Sequence, residues 1–324
     1  MITVSRLTKR YGRHTAIDNL SFEVQPGEVL GLLGPNGAGK TTALRMITGF
    51  LPPSTGRVRI DGFDLYDNPL EAKRRIGYLP ENPPVYPEMT TRRFLEFVAE
   101  IKDVPARQRA AAVTRAIERT QLGEVEHKRI AKLSKGFKQR VGLAQAIVHE
   151  PKVLILDEPT SSLDPKQRVE VRELISGLRG TQTVIVSTHI LAEANEVADR
   201  VVIIHRGRVM AVDTPASLAQ RLQARDVVIA EIHRGAGADD PAGAFDSEVR
   251  RSLAALPGAA SVEVQPLGEG QVRARVESAA GTDLRGDTAA AVVLRGWRLV
   301  GLAGETLSLE EIFLALTGDD GAPA

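Results

Sequence analysis

The sequence predicts an α/β chain built on a mostly parallel sheet, followed by a smaller α+β domain. Three observations carry this expectation. Residues 29–33 (Val-Leu-Gly-Leu-Leu) read as a buried strand that runs straight into a glycine-rich loop and then a helix. Two more aliphatic runs, 153–156 and 184–186, stand among stretches of helical periodicity, as strands covered on both faces do. Beyond residue 225 the charge balance inverts: residues 1–225 carry 34 Lys/Arg against 25 Asp/Glu, and the remainder 8 against 16. Such an inversion marks a compositional boundary.

In chain order, residues 2–7, 20–25 and 57–60 read as short strands of an antiparallel layer with polar turns such as Pro26-Gly27. The helix after the glycine loop spans 41–48, carries Leu44 and Ile47 on one side, and stops at Gly49 and Pro52-Pro53. From about 90 to 130 the pattern is helical, with Phe94, Leu95, Phe97, Val98 and Ile101 and then 111–117. A ladder of 201–204 and 209–212 turns at Arg206-Gly207. In the second domain, strands at 227–232, 261–265, 271–276 and 297–302 alternate with helices at 247–256 and 284–293. That β-α-β-β-α-β order suggests a ferredoxin-like arrangement. Residues 308–316 read as a short amphipathic helix, with Ser308 as cap and Glu311 at the capping-box position. The expected division is 1–222, 226–316 and a flexible tail at 317–324.

With 43% apolar and 26% charged residues the chain is of ordinary globular composition, neither disordered nor fibrous. Cysteine is absent, which excludes disulfides and thiolate metal ligands. No run reaches the roughly 18 apolar residues of a membrane-crossing helix, and residues 1–12 carry no apolar stretch of signal-peptide length. Any membrane role is therefore expected to come through a partner, without direct insertion.

Gly34-Pro35-Asn36-Gly37-Ala38-Gly39-Lys40-Thr41 fits the phosphate-loop pattern G-x-x-x-x-G-K-[ST], with a strand before it and a helix after it. Glycines let successive backbone N–H groups turn inward around phosphate oxygens, and the helix start, including Thr42, adds positive potential. The expected ligands are ATP and Mg²⁺, with Lys40 on the β- and γ-phosphates and the Thr41 hydroxyl on the metal. Asp157 ends the aliphatic run 153–156, where a carboxylate is costly unless it meets a cation, so it is the second metal candidate. Glu158 beside it is the candidate general base for an attacking water. Ser134 caps a helix whose apolar face is Phe137, Val141, Ala144 and Val148, and its hydroxyl and the exposed N–H groups make an anion site.

With these residues in this order, the chain resembles the nucleotide-binding subunit of an ATP-binding-cassette (ABC) transporter over roughly residues 1–220. Leu133-Ser134-Lys135-Gly136-Phe137-Lys138-Gln139-Arg140 stands where that family carries its LSGGQ signature, with Lys135 in place of a glycine and Phe137 in place of the glutamine. The resemblance implies an ABC-type ATPase domain with an antiparallel β subdomain and a helical subdomain. It implies that Ser134, Lys135 and Gly136 address the γ-phosphate held by another subunit, so that two cassettes make a working unit. Tyr11, 29 residues before Lys40, matches the aromatic that stacks on adenine. Ser161-Ser162-Leu163-Asp164 is similar to the D-loop, which contacts the partner cassette, and His189 to the switch histidine that reaches the γ-phosphate. In Ile76-Gly77-Tyr78-Leu79-Pro80-Glu81, Glu81 stands where the family places a glutamine that senses Mg²⁺ and the membrane partner. A carboxylate binds a hard cation more strongly than an amide but adds negative charge near ATP.

The implied partners are a second copy or sister ATPase subunit and separate integral-membrane permeases, docked through 80–88 and the helices of 90–130. The implied location is the cytoplasmic face of the cell membrane. The region 226–324 resembles the C-terminal extension of bacterial exporter cassettes, and Gly-Tyr-Leu-Pro-Glu with Leu-Ser-Lys-Gly resembles the gliding-motility and multidrug branch. The rival reading is a cassette ATPase acting on nucleic acid or ribosomes. Such proteins usually carry two cassettes or a long coiled coil, whereas this sequence has one phosphate loop and no sustained heptads, so nucleic acid is not expected. A module that binds ATP without hydrolysing it is opposed by the intact Lys40 and Glu158.

Overall fold

Alternation along the aliphatic strands divides their side chains between two cores, and that division organises the first part of the molecule. The structure, a computed structural model, describes residues 1–161, 163–222, 225–234, 244–268, 270–279 and 281–305. The chain packs as two compact units, one built on Met1–Pro215 and the other on Ala216–Ala315.

The first unit begins with β1 (Ile2–Tyr11), β2 (His14–Val24) and β3 (Val29–Leu33), then α1 (Lys40–Ile47), β4 (Thr55–Ile60) and β5 (Phe63–Asp64). Next come α2 (Pro69–Arg74), β6 (Ile76–Leu79), α3 (Thr91–Ile101), α4 (Ala106–Arg119) and α5 (Lys135–Ile147). The unit continues through β7 (Val153–Asp157), α6 (Pro165–Ser176), β8 (Thr183–Thr188), α7 (Leu191–Val197), β9 (Arg200–His205) and β10 (Arg208–Asp213). The antiparallel layer runs β2-β1-β4-β5, and the main sheet runs β10-β9-β3-β8-β7-β6. Every neighbouring pair of the main sheet is parallel except β9 with β10. β1 and β2 are longer than the sequence pattern suggests, because register shifts let them stay paired out to Tyr11 and His14.

In β7, Val153 and Ile155 join a core with α1 and the antiparallel layer, while Leu154 and Leu156 join a core with α3, α4 and α5. β8 divides likewise: Ile185 faces the first core, Val184 and Val186 the second. Both faces of the sheet are covered, which is why these strands are continuously aliphatic. Leu44 and Ile47 of α1 are fully buried, as their spacing predicts. The expected helices of 90–130 are α3 and α4. α3 is capped by the Thr90 hydroxyl, which accepts from the Arg93 N–H, and Pro105 opens α4 where it has no N–H to lose. Ile101, expected on the apolar face, is exposed at the end of α3.

The second unit takes in most of α8 (Pro215–Leu222), whose first residue belongs to the first unit, then β11 (Arg225–His233), α9 (Ala244–Ala254), β12 (Ala259–Gly268), β13 (Gln271–Ala279), α10 (Arg285–Leu294) and β14 (Arg298–Glu305). Its sheet order, β12-β13-β11-β14 with every neighbour antiparallel, is that of a split β-α-β ferredoxin-like fold. Val228, Ala230 and Ile232 alternate inward against Phe245 and Trp297, whose rings meet edge to face at 5.5 Å. The helix expected at 308–316 and the tail at 317–324 lie outside the described residues.

Candidate active site

The ends of β3, β7 and β8 lie side by side in the middle of the main sheet, and the candidate residues hang from them. This is the carboxyl edge of a parallel sheet, where α/β folds place ligands. Pairing of Asp157 with Ser187 and of Leu33 with Thr188 sets the register.

The loop after β3 closes tightly at two glycines, Gly34 and Gly39, where a Cβ has no room. A Cβ on Gly34 would come within 2.3 Å of the Ile204 carbonyl oxygen. Gly39, at φ 105°, caps α1 without a side-chain bond, and a Cβ there would meet Ile17 at 2.5 Å. The first turn of α1 carries no acidic residue, so its N–H groups and dipole are free to meet an anion.

Lys40 is buried. Its ammonium donates to the carbonyls of Gly34 at 2.8 Å and Pro35 at 3.3 Å and pairs with Glu158 Oε1 at 3.3 Å. Glu158 is itself buried and sits at φ 49°, a conformation that costs a side-chain-bearing residue about 1–3 kcal/mol. It is held there by its backbone N–H, which donates to Ser187 Oγ at 3.0 Å. Its other oxygen, Oε2, lies 2.8 Å from His189 Nδ1, so the ring N–H donates to the carboxylate.

Asp157 is almost wholly buried, and burial pushes its carboxyl above the usual range although Ser187 and Thr41 donate to it. Ser187 Oγ is 2.7 Å away and Thr41 Oγ1 3.4 Å. A buried carboxylate beside a hydroxyl is a fitting half-site for a hard dication. No cluster of three or more His, Cys, Asp or Glu that could hold a metal exists among the described residues.

These groups open on a cavity of about 850 Å³, lined by Pro35, Asn36, Gly37, Gly39, Lys40, Thr41 and Thr42 together with Tyr11, Glu81, Glu158 and His189. Tyr11 is half exposed at its edge, with Lys9 Nζ 5.2 Å from the ring centroid. Gly34 and Ala38 are buried beneath the loop. Asp157 lines an adjoining cavity of about 630 Å³, shared with Thr41 and Glu81, and four other candidates stand away from both. Ser134 and Lys135 are exposed at the start of α5, where Ser134 Oγ accepts from Phe137 N–H at 3.4 Å. Gly136 is buried against Gln167. Asp164 caps α6 by accepting from Gln167 N–H at 2.9 Å. Ser162 lies outside the described residues.

The profile of the family described as ABC transporter matches residues 17–161. The daunorubicin resistance ATP-binding protein DrrA3 of Streptomyces coeruleorubidus is 34% identical over 98% of this chain and 96% of its own length. The chain belongs to the ABC transporter ATP-binding proteins. An ABC transporter ATP-binding protein of Bacillus subtilis (strain 168), YxlF, is 43% identical over 64% of this chain and 69% of its own. Among solved structures, the cassette MJ0796, dimeric in a post-hydrolysis state with ADP and Pi, superposes with a TM-score of 0.60 at 25% identity, over 66% of this chain and 98% of that one. The protein is thus the ATP-binding subunit of an ABC transporter and an ATPase, and a role on nucleic acid or ribosomes is not favoured. No described helix of this cassette is long and apolar enough to cross a membrane.

Several residues that line the cavity of the cassette belong to no motif in the sequence: His14, Thr15, Ala16, Arg168 and Arg206. Ser187 bonds both Asp157 and the Glu158 backbone, yet in the sequence it is only the end of an aliphatic run. Its role follows from strand register, which no local pattern discloses.

Proposed function

We propose that two cassettes, two copies of this chain or this chain and a sister subunit, close head to tail with ATP between the phosphate loop of one and Ser134, Lys135 and Gly136 of the other. The observation that carries this reading is the exposure of Ser134 and Lys135 at a helix start that does not line the cavity of their own chain. An exposed helix start, with its N–H groups and dipole, is an anion site in want of an anion. Within each site Tyr11 stacks on adenine, Lys40 and the N–H groups of residues 37–42 hold the phosphates, and Asp164 meets the facing cassette. Thr41, Asp157 and Glu81 would hold Mg²⁺, which supplies charge neutralisation at the β- and γ-phosphates. Glu158 accepts a proton from the attacking water, and His189 holds Glu158 and the γ-phosphate end in line.

Closing and opening would drive separate permeases from the cytoplasmic face of the membrane, with residues 226–316 as an accessory domain after a cassette of 1–222. Relatives named for daunorubicin resistance, bacitracin transport and Nod factor export support export as the direction. A mixing experiment tests the shared site. Lys40→Ala and Ser134→Arg chains are each expected to lose hydrolysis, yet their mixture regains a fraction of wild-type activity, because each mixed dimer keeps one intact site. A mixture as inactive as its components would end the two-cassette reading.

Glu81 lines both the nucleotide cavity and an adjoining one of about 630 Å³ that reaches Arg45, Tyr78 and Lys102. Glu81→Gln is expected to preserve hydrolysis, measured as phosphate release. Complete loss would make the carboxylate an indispensable metal ligand.

A further inference from the structure

The chain segments that carry the two residues assigned to hydrolysis share a buried carboxylate that none of their roles requires. Glu193, on α7, is 5% exposed. Its Oε2 accepts a hydrogen bond from Thr160 Oγ1 at 2.5 Å and lies 3.5 Å from Thr188 Oγ1. Thr160 and Thr188 are both buried. Thr160 stands two residues after Glu158, and Thr188 immediately before His189. Thr188 Oγ1 in turn accepts from the Ile190 N–H at 3.0 Å, which fixes the backbone on the far side of the histidine. The other oxygen, Oε1, has no hydrogen-bond partner among the described residues. Arg168 Nη1 is 4.0 Å from it. Arg168 lines the nucleotide cavity, and its Nε donates to the Leu163 carbonyl at 3.0 Å, inside the loop 161–164.

We propose that Glu193 is a positioning residue for ATP hydrolysis. It ties the segment after Glu158 to the segment before His189 and, through Arg168, ties both to the loop that meets the facing cassette. The inference rests on the reading of Glu158 and His189 as the hydrolytic pair.

Two physical arguments support it. A buried carboxylate is expensive to desolvate, and an apolar residue of like size would pack the same space at lower cost, so stability alone does not explain a glutamate here. Glu158 holds a left-handed backbone conformation, which persists only where its surroundings over-determine it. Ser187 restrains the Glu158 backbone at its N–H, and the Thr160–Glu193 bond restrains the chain just beyond it. With that bond removed, the carboxylate of Glu158 is free to drift, and misplacement by about 1 Å costs on the order of a hundredfold in rate. Arg168, just beyond hydrogen-bonding range of Oε1, is held by the Leu163 carbonyl, so a small displacement of Leu163 would close or open that contact. Loop position then bears on the hydrolytic pair.

The test is steady-state ATP hydrolysis by the full chain, with thermal melting in parallel and Glu158→Gln as reference. Glu193→Ala is expected to lower kcat by roughly 10–100-fold, with KM for MgATP within about threefold of wild type. Thr160→Val, which deletes only the donor, shares the direction of that loss. Glu193→Gln keeps an acceptor for Thr160 and regains most of it. Adding Arg168→Ala to Glu193→Ala lowers kcat by less than the two single effects combined, as members of one network do. Wild-type kcat in both Glu193→Ala and Thr160→Val, with the damage confined to melting temperature, overturns the proposal. If Glu193→Ala does not fold, Thr160→Val decides: a kcat equal to wild type sinks the idea. Should Glu158→Gln itself hydrolyse ATP normally, the underlying reading of Glu158 has failed. Loss in Glu158→Gln with no effect at Glu193 or Thr160 condemns the Glu193 proposal alone.

Discussion

Glu158→Gln is expected to abolish turnover, by about 10²–10⁴-fold, while ATP still binds and a nucleotide-dependent dimer accumulates. The geometry separates these effects. The glutamine keeps the shape of the side chain, and the backbone bonds that hold position 158, from its N–H to Ser187, are untouched. What is lost is the carboxylate as a proton acceptor and as the anion opposite Lys40 and His189. Lys40 still has the carbonyls of Gly34 and Pro35 within reach, so the phosphate loop stays formed. In the proposed shared site, removing a negative charge beside the γ-phosphate also favours the closed, ATP-bound pair. Gel filtration with Mg-ATP checks this: a species that stays monomeric at saturating nucleotide would refute the paired mechanism.

Lys40→Ala is expected to strike one step earlier. The ammonium is the buried cation of the loop, and its removal leaves Glu158 in a low-dielectric site with His189 as its remaining side-chain partner. Truncating one member of a buried charge pair costs about 2–5 kcal/mol, and here the loss falls on nucleotide affinity, some thirtyfold or more. Titration with a fluorescent ATP analogue measures it, with circular dichroism to establish that the fold is kept. Affinity within threefold of wild type would mean that the phosphates are held elsewhere. The two variants should therefore differ in kind, one binding without turning over and the other barely binding.

What is legible in the sequence is whatever is contiguous. The phosphate loop spells out its own conformation, since Gly34 and Gly39 stand where a Cβ has no room and Lys40 opens the helix that follows. The carboxylates Asp157 and Glu158 stand out because a charge at the end of four aliphatic residues has no bland explanation. The ferredoxin-like order of the second unit follows from spacing alone, and the described strands realise it within a few residues. The helical stretch 90–130 is as helical as its spacing predicts, but Ile101, read as apolar face, lies exposed at the end of α3, just before the break at Val104-Pro105. Hardest to foresee are partnerships set by strand register and side-chain reach. Ser187 opposite Asp157 and Glu193 beside Thr160 join residues about thirty positions apart. Their identities are ordinary, and only the packed sheet brings them together.

The alternation in β7 and β8 has a consequence for how such a protein can diversify. Val153, Ile155 and Ile185 serve the core that supports α1 and the phosphate loop, whereas Leu154, Leu156, Val184 and Val186 serve the core beneath α3, α4 and α5. A single layer of backbone stands between the two sets, so a change of volume on the helical side is met first by the packing among α3, α4 and α5 rather than by α1. Such a molecule can be re-tailored among its helices while the side chains that support α1 and the phosphate loop are kept.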